Sequence, residues 1–268
     1  LDLFRLDGEV AAVIGGTGTL GGAIASGLAE AGAKVAVLGR RRKQGGERAQ
    51  AITDGGGTAI YTPCDAMSPV SLQEAHQAVR EPFGEVTVLV NGAGGVHLGA
   101  VVNEERAFEA VQLEEWARTF DLNLVAGALL PCQEFGPAMV RNGKGSIVNI
   151  ASVSSHLPLS RVVAYSAAKA AVLSLTRFLA REWATTGVRV NSITPGFFPA
   201  EQNRRMLFHE DGSPTERTRT ILAHTPMRRF GEPSELAGAA VFLASERASG
   251  FVTGADIVVD GGFLATTI

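Results

Sequence analysis

The chain has 268 residues, with 24 basic and 27 acidic side chains and a formal net charge of −3. Hydrophobic residues at 46% against 19% charged exclude a disordered chain, and a chain this long buries roughly three quarters of its unfolded surface in one core. The near-neutral balance argues against a nucleic-acid partner or an anionic membrane surface. No apolar stretch reaches the roughly 18 residues of a membrane span, and no basic segment precedes an apolar block at the N-terminus. Two cysteines, Cys64 and Cys132, make neither a disulfide framework nor a CxxC motif, which fits a reducing cytoplasm.

In chain order, residues 10–14 read as a short buried strand running into a glycine-rich turn. Residues 23–31 are a good helix sequence, stopped by Gly32. A second strand is expected at 34–38 and a third at 58–62, after the Gly55-Gly56-Gly57 turn. A polar helix follows at 68–81, then a fourth strand at 85–90 that ends on Asn91-Gly92. Residues 113–140 suit a long helix that Pro131 and Pro137 must kink or interrupt. A fifth strand at 145–151, a long helix at 164–186 closed by Gly187, and a sixth strand at 188–193 come next. A polar insertion fills 200–225, inside a substrate-loop region at about 197–230. A helix at 233–245 and a last strand at 256–259 complete the chain. Seven nearly continuous apolar strands separated by helices predict one α/β domain over 1–268. Its expected architecture is a Rossmann-like, doubly wound parallel sheet with helices on both faces.

The segment Gly15-Gly16-Thr17-Gly18-Thr19-Leu20-Gly21 lies between the first strand and the first helix. There, small residues allow a tight turn, and the helix N-terminus offers free N–H groups to a pyrophosphate. In such folds a carboxylate after the second strand receives a ribose 2′-OH, whereas arginine accommodates a 2′-phosphate. The second strand here runs into Gly39-Arg40-Arg41-Arg42-Lys43, with no carboxylate at its end. The expected cofactor is therefore NADP(H) in preference to NAD(H), gripped by Arg40 and Arg41.

Tyr165 and Lys169 are four apart within a helical stretch and share a face. An ammonium there lowers the pKa of a phenol by stabilising phenolate, which makes tyrosine a usable general acid. Ser152 stands at the C-terminal end of the fifth strand, where open α/β sheets bind ligands, and can polarise a carbonyl. Asn123 is an isolated polar residue inside a long apolar helix and needs partners if buried.

Together these pieces resemble the short-chain dehydrogenase/reductase family over essentially the whole chain. The matching residues are the glycine turn, Asp65, Asn91-Gly92-Ala93-Gly94, Asn123, Ser152, Tyr165/Lys169, Pro195-Gly196, Thr253-Gly254 and Asp260-Gly261-Gly262. The resemblance implies that Tyr165 is the acid/base, that Lys169 holds the nicotinamide ribose, and that Ser152 binds the carbonyl. It further implies that Asn123 supports a water relay to Lys169. On the cofactor side it implies that Asp65 and Ala66 lie at the adenine and Asn91, Gly92 and Ala93 along the adenosine. Ile193, Pro195, Gly196 and Phe198 would lie near the nicotinamide. A homotetramer or homodimer built on the two long helices is also implied. The chain departs from the family at Ile14-Gly15, at Gly18-Thr19 and at Ala200, which alters cofactor contacts and leaves the catalytic set intact.

Several segments resemble the D-mannonate oxidoreductase (fructuronate reductase) subgroup: Val90 to His97, Arg161 to Tyr165 and the region from Pro195 to Gly231. That resemblance implies reduction of the keto group of a hexuronate. Such a small-molecule substrate carries a carboxylate and hydroxyls, so Arg and amide side chains are the candidate contacts: His97, His156, Arg161, Gln202, Asn203 and Arg204. The competing activities are reduction of an acyl-carrier-protein ketoester, for which Arg204-Arg205 and Arg228-Arg229 offer a docking patch, or of another polyol or ketose. A nicotinamide-sensing regulator without turnover would be expected to lack Tyr165, Lys169 or Ser152. The five histidines are scattered and form no ligand pair on one helix face, so no metal site is expected.

Overall fold

The computed structural model describes residues 2–201 and 203–267. Strand β1 (Val10–Ile14) leads into helix α1 (Thr19–Glu30), β2 (Lys34–Gly39) into α2 (Arg42–Asp54), and β3 (Thr58–Pro63) into α3 (Pro69–Phe83). The chain then crosses to β4 (Val88–Asn91) on the other side of β1. A long helical column follows: α4 (Leu113–Phe120), a π-helical stretch (Asp121–Leu129) and α5 (Leu130–Asn142). Next come β5 (Gly145–Ile150), α6 (Val163–Trp183), β6 (Val188–Pro195), the short α7 (Arg204–Leu207), α8 (Glu216–His224), α9 (Ala237–Ala244), α10 (Glu246–Ser249) and β7 (Asp256–Val259).

The seven strands form one parallel sheet in the order β3-β2-β1-β4-β5-β6-β7. Strand side chains alternate between two cores. Ala11, Val13, Val88 and Val90 face α1 and α9, where Ile24, Leu28, Ala240 and Leu243 are buried. Ala12, Ile14 and Leu89 face α3, α5 and α6, against Leu72, Phe135, Met139 and Leu179. Burial on both faces explains why the strands read as continuous apolar runs. The order reverses at β1/β4, whose carboxyl ends carry the glycine turn and the Asn91–Gly94 loop side by side, the position at which open α/β sheets bind ligands. Among the described residues, no helix is long and apolar enough to cross a membrane.

Several local expectations need correction. Helix α2 was not anticipated, because Gly45 and Gly46 break its periodicity; Gly45, Ala49 and Ile52 form its buried stripe. A Cβ at Gly45 would come within 2.1 Å of the Tyr61 ring, so the glycine is what lets α2 lie on β3. Helix α1 starts at Thr19 rather than 23, taking Gly21 and Gly22 into its first turns. Strand β4 begins at Val88 rather than 85, and β6 runs on to Pro195 because β7 pairs with Ser192 to Pro195.

The long column is irregular ahead of Pro131, not at it. Asn123 Nδ2 donates to the Thr119 carbonyl at 2.9 Å, the acceptor one α-helical turn back, and the backbone widens into a π-helical stretch. Pro131 then falls in the first turn of α5, where a missing N–H is tolerated. Finally, the polar insertion carries secondary structure of its own. Its α7 and α8 pack as a hairpin, with Phe208 bridging to Pro214 and Thr218 Oγ1 donating to the Leu207 carbonyl at 2.5 Å.

Candidate active site

The glycine turn is built for close approach. Gly15 has φ +77°, and a Cβ there would lie 2.8 Å from backbone atoms of Gly92 and Ala93. A Cβ at Gly21 would sit 2.4 Å from the Gly15 carbonyl oxygen. Gly18 caps α1 without a side-chain hydrogen bond, so no side chain claims the amides of Thr19 and Leu20. A turn of this shape at an uncapped helix N-terminus fits the pyrophosphate of a nicotinamide dinucleotide.

Of the two arginines after β2, Arg41 is the one at the turn: its Nη2 donates to the Thr17 carbonyl at 2.7 Å. Arg40 is exposed. A cleft of about 280 Å³ here is lined by Thr17, Gly18, Thr19, Arg41, Arg48 and Glu201, among others. Arg48 was missed from the sequence because it comes from the unforeseen helix α2, one turn beyond Gln44. Glu201 approaches Arg41 at 3.5 Å and is a carboxylate that a 2′-phosphate would have to displace.

The remaining cofactor candidates divide into two groups. Gly92 N donates to the Ile14 carbonyl at 2.9 Å, which fixes the β4 loop beside the glycine turn. Asp65 accepts from Met67 N at 3.1 Å, ordering the turn that includes Ala66. Gly196 N donates to the Val259 carbonyl at 2.9 Å and pins the segment after Pro195 to the end of β7. The Asn91 side chain, by contrast, turns into the core, donating to Asn149 Oδ1 at 2.8 Å and to Cys132 Sγ at 3.3 Å. Phe198 is also withdrawn: its ring is buried against Gly231.

The catalytic candidates come together at the carboxyl ends of β4 and β5. Asn123 is fully buried; its Oδ1 accepts from Gly95 N and its Nδ2 donates to the Gly95 carbonyl, each at 2.9 Å. That clamp brings the loop after β4 against Lys169: a Cβ at Gly94 would lie 2.7 Å from Asn123 Oδ1 and 3.3 Å from Lys169 Nζ. Lys169 Nζ donates to the Ile150 carbonyl at 2.7 Å and lies 6.0 Å from the centre of the Tyr165 ring. Ser152 Oγ accepts from Ser154 N at 3.2 Å and from Ser154 Oγ at 3.0 Å. Neither contact uses the Ser152 hydroxyl proton, and Ser152 acts on the Tyr165 phenol in the direction that favours phenolate.

The electrostatics differ from the sequence expectation. Burial, the largest influence, holds the Tyr165 phenol above its ordinary range, and the Ser152 hydrogen bond only partly opposes it. Burial also pushes the Lys169 ammonium down to about 8. The expected lowering of the phenol by Lys169 is thus not present here, because both groups are desolvated and Nζ is bonded to a carbonyl instead. In the folded chain Lys169 sheds its proton below its ordinary 10.5, so the unfolded chain binds more protons between about 8 and 10.5. Its burial therefore costs stability as pH falls through that window.

The substrate candidates scatter around this centre. His97 pairs with Glu115, which also holds Arg118 at 3.0 Å. His156 Nε2 is 2.9 Å from Asp256 Oδ2, a carboxylate that also accepts from Ser192 Oγ at 2.6 Å. Asn203 spends its amide on the loop, accepting from Ala200 N at 2.7 Å and donating to the Phe198 carbonyl at 2.9 Å. Arg204 lies over the Phe208 ring at 5.6 Å. Arg161 flanks the turn before α6, and Gln202 lies outside the described residues. No group of three or more His, Cys, Asp or Glu able to hold a metal ion occurs among the described residues.

Comparison with known proteins extends this geometry. A family model described as Enoyl-(Acyl carrier protein) reductase matches residues 16–264. The chain is 41% identical to the Bacillus subtilis (strain 168) protein called Uncharacterized oxidoreductase UxuB, over 97% of this chain and 96% of that one. A crystal structure from Haemophilus influenza with bound NAD, provisionally named a D-mannonate oxidoreductase, superposes with a TM-score of 0.90. It is 35% identical and the match covers 98% of this chain and 97% of that one. A gluconate 5-dehydrogenase from Burkholderia cenocepacia J2315, in complex with NADP and tartrate, superposes with a TM-score of 0.88 at 32% identity, covering 99% of each chain.

Proposed function

The chain belongs to the short-chain dehydrogenase/reductase family, and from that premise we propose that it is an NADP(H)-preferring enzyme interconverting the keto group and secondary alcohol of a sugar acid, of the D-fructuronate/D-mannonate type. The oxidoreductase class is carried by one observation, the convergence of Ser152, Tyr165, Lys169 and Asn123 beside the glycine turn. Likeness to a D-mannonate oxidoreductase and a gluconate 5-dehydrogenase supports the sugar-acid substrate.

The bound nicotinamide supplies the hydride in reduction and receives it in oxidation. The chain's own residues supply the proton and the orientation. Tyr165 gives its phenolic proton to the carbonyl oxygen as the alcohol forms, and takes it back in the reverse direction. Ser152 donates to the same oxygen and steadies the charge that develops there. Lys169, its Nζ 6.0 Å from the centre of the Tyr165 ring, holds the nicotinamide ribose beside the phenol. Asn123 holds the loop after β4 and, by the same reading, supports a water through which Lys169 is resupplied with protons. A homotetramer or homodimer joined through α4, α5 and α6, acting in the cytoplasm, belongs to this proposal; Phe178 on α6 is 57% exposed in the single chain.

Two experiments test it. Initial rates of NADPH and NADH oxidation with D-fructuronate are expected to show turnover, faster with NADPH; turnover only with ketoacyl thioesters would move the substrate to the acyl-carrier class. Arg41→Asp is expected to lower the NADPH-to-NADH preference by about 10- to 100-fold, the size of one or two lost charge-assisted hydrogen bonds. An unchanged ratio would show that Arg41 grips only the Thr17 carbonyl.

A further inference from the structure

A largely buried carboxylate ties the turn that carries Ser152 to the end of β6. Asp256 opens β7, pairs in register with Ser192, and has a side chain only 12% exposed. Strand residues alternate faces, so Ser192 and Thr194, both buried, share one face of β6, and both bond to Asp256. Ser192 Oγ donates to Asp256 Oδ1 at 2.6 Å; Thr194 Oγ1 donates to Oδ2 at 2.8 Å and reaches Oδ1 at 3.0 Å. The third partner comes from outside the sheet. His156 Nε2 lies 2.9 Å from Asp256 Oδ2 and 3.3 Å from Thr194 Oγ1. An ionised carboxylate only accepts, and the threonine proton is already given to it, so Nε2 is assigned the proton and donates.

His156 closes the turn that Ser152 begins. Ser152 Oγ caps the turn by accepting from Ser154 N at 3.2 Å, and Ser155 N donates to the Ser152 carbonyl at 2.8 Å. His156 N donates to the Val153 carbonyl at 3.1 Å, so Ser152 to His156 form one hydrogen-bonded unit. On the other side, Thr194 directly precedes Pro195-Gly196, where Gly196 N is fixed to the Val259 carbonyl. Asp256 therefore joins the unit bearing Ser152 to the segment that, by the family resemblance, faces the nicotinamide.

We propose that His156 is a positioning residue, whose bond to Asp256 sets the Ser152 hydroxyl relative to the segment after β6. This rests on the role given to Ser152 above and reassigns His156, which spends Nε2 on Asp256 instead of on substrate. Hydride and proton must reach the carbon and oxygen of one carbonyl, and a misplacement of about 1 Å costs about 100-fold in rate. A hydroxyl at the start of a short turn keeps that registration when the far end of the turn is held as well. Ser192 loads the same carboxylate without touching the turn, which separates packing from positioning.

The test compares His156→Ala, His156→Gln and Ser192→Ala with the wild type. Glutamine places an amide donor as many bonds from Cβ as the imidazole Nε2. Rates are measured with reduced cofactor and its 4-deuterated form, on whichever of D-fructuronate, D-fructose and acetoacetyl-CoA the wild type reduces fastest. In His156→Ala, kcat is expected to fall about 10- to 100-fold with KM and cofactor affinity held, and the deuterium isotope effect to rise as hydride transfer becomes limiting. His156→Gln is expected to restore most of the rate, and Ser192→Ala to lower Tm while keeping kcat.

Amide hydrogen exchange over 152–156 in the cofactor-free enzyme provides a readout independent of turnover. It is expected to speed up in His156→Ala, to return in His156→Gln and to stay unchanged in Ser192→Ala. An unchanged kcat in His156→Ala overturns the proposal, as does a loss of rate that glutamine does not restore or that Ser192→Ala matches. Tyr165→Phe, measured alongside, keeps the two readings apart. If it kept its rate, the catalytic reading would fail and the role of His156 with it. A slow Tyr165→Phe beside an unimpaired His156→Ala removes only the positioning role.

Discussion

Tyr165→Phe is expected to lower turnover by about 10²- to 10⁴-fold while leaving cofactor binding nearly intact. The substitution deletes one hydroxyl and keeps the ring, so the packing in the first turn of α6 survives. What is lost is the proton donor. Steady-state rates with a cofactor titration by nucleotide fluorescence separate the two effects. A variant that kept most of its rate would remove Tyr165 from the mechanism. The electrostatic setting adds to the expectation. Burial raises the phenol and drives Lys169 down to about 8, so neither group titrates at its ordinary position. Lys169 is a buried charge whose desolvation opposes folding, and such groups are characteristic of functional sites.

Gly21→Ala is expected to damage both the fold and the cofactor grip. The new Cβ would stand 2.4 Å from the Gly15 carbonyl oxygen, 2.8 Å from its carbon and 3.2 Å from Gly16 Cα. All three are backbone atoms, and Gly15 is itself wedged against Gly92 and Ala93, so the turn has nowhere to retreat. Overpacking of this kind costs about 1–3 kcal/mol, equivalent to a fall in Tm of about 2–12 °C for a chain of this size. Displacing the amides at the start of α1 weakens dinucleotide binding by about 10- to 100-fold. Calorimetric unfolding and cofactor titration read the two effects separately. Gly46→Ala on α2 is the control, since a Cβ there meets nothing within 4 Å; it is expected to stabilise by about 0.5–1 kcal/mol. Unchanged nucleotide affinity in Gly21→Ala would mean that the turn is not the pyrophosphate cradle.

Where the sequence could be read, the signal was local. The strand at 10–14 followed by a glycine string, and the four-residue spacing of Tyr165 and Lys169, are patterns that short-range geometry fixes. Helix α2 escaped because its two glycines blur the apolar stripe that otherwise marks a helix, and Arg48 escaped with it. The roles expected of the Asn91 and Phe198 side chains, and the contacts expected of Asn203, depended on which way each side chain turns. In the fold the first joins Asn149 and Cys132, the second packs on Gly231, and the third locks its own loop.

By itself, the sequence determined the seven apolar strands, the doubly wound order they imply, the dinucleotide turn and the serine–tyrosine–lysine set. The strands and the turn follow from periodicity or spacing over a few residues, where backbone geometry leaves little freedom; the serine–tyrosine–lysine set is read as one site through the resemblance to a known family. Tertiary structure alone decided that Arg41 rather than Arg40 meets the glycine turn, and that Asn123 reaches Gly95 across a π-helical widening. Those choices depend on how segments far apart in the chain pack, and no local pattern encodes that.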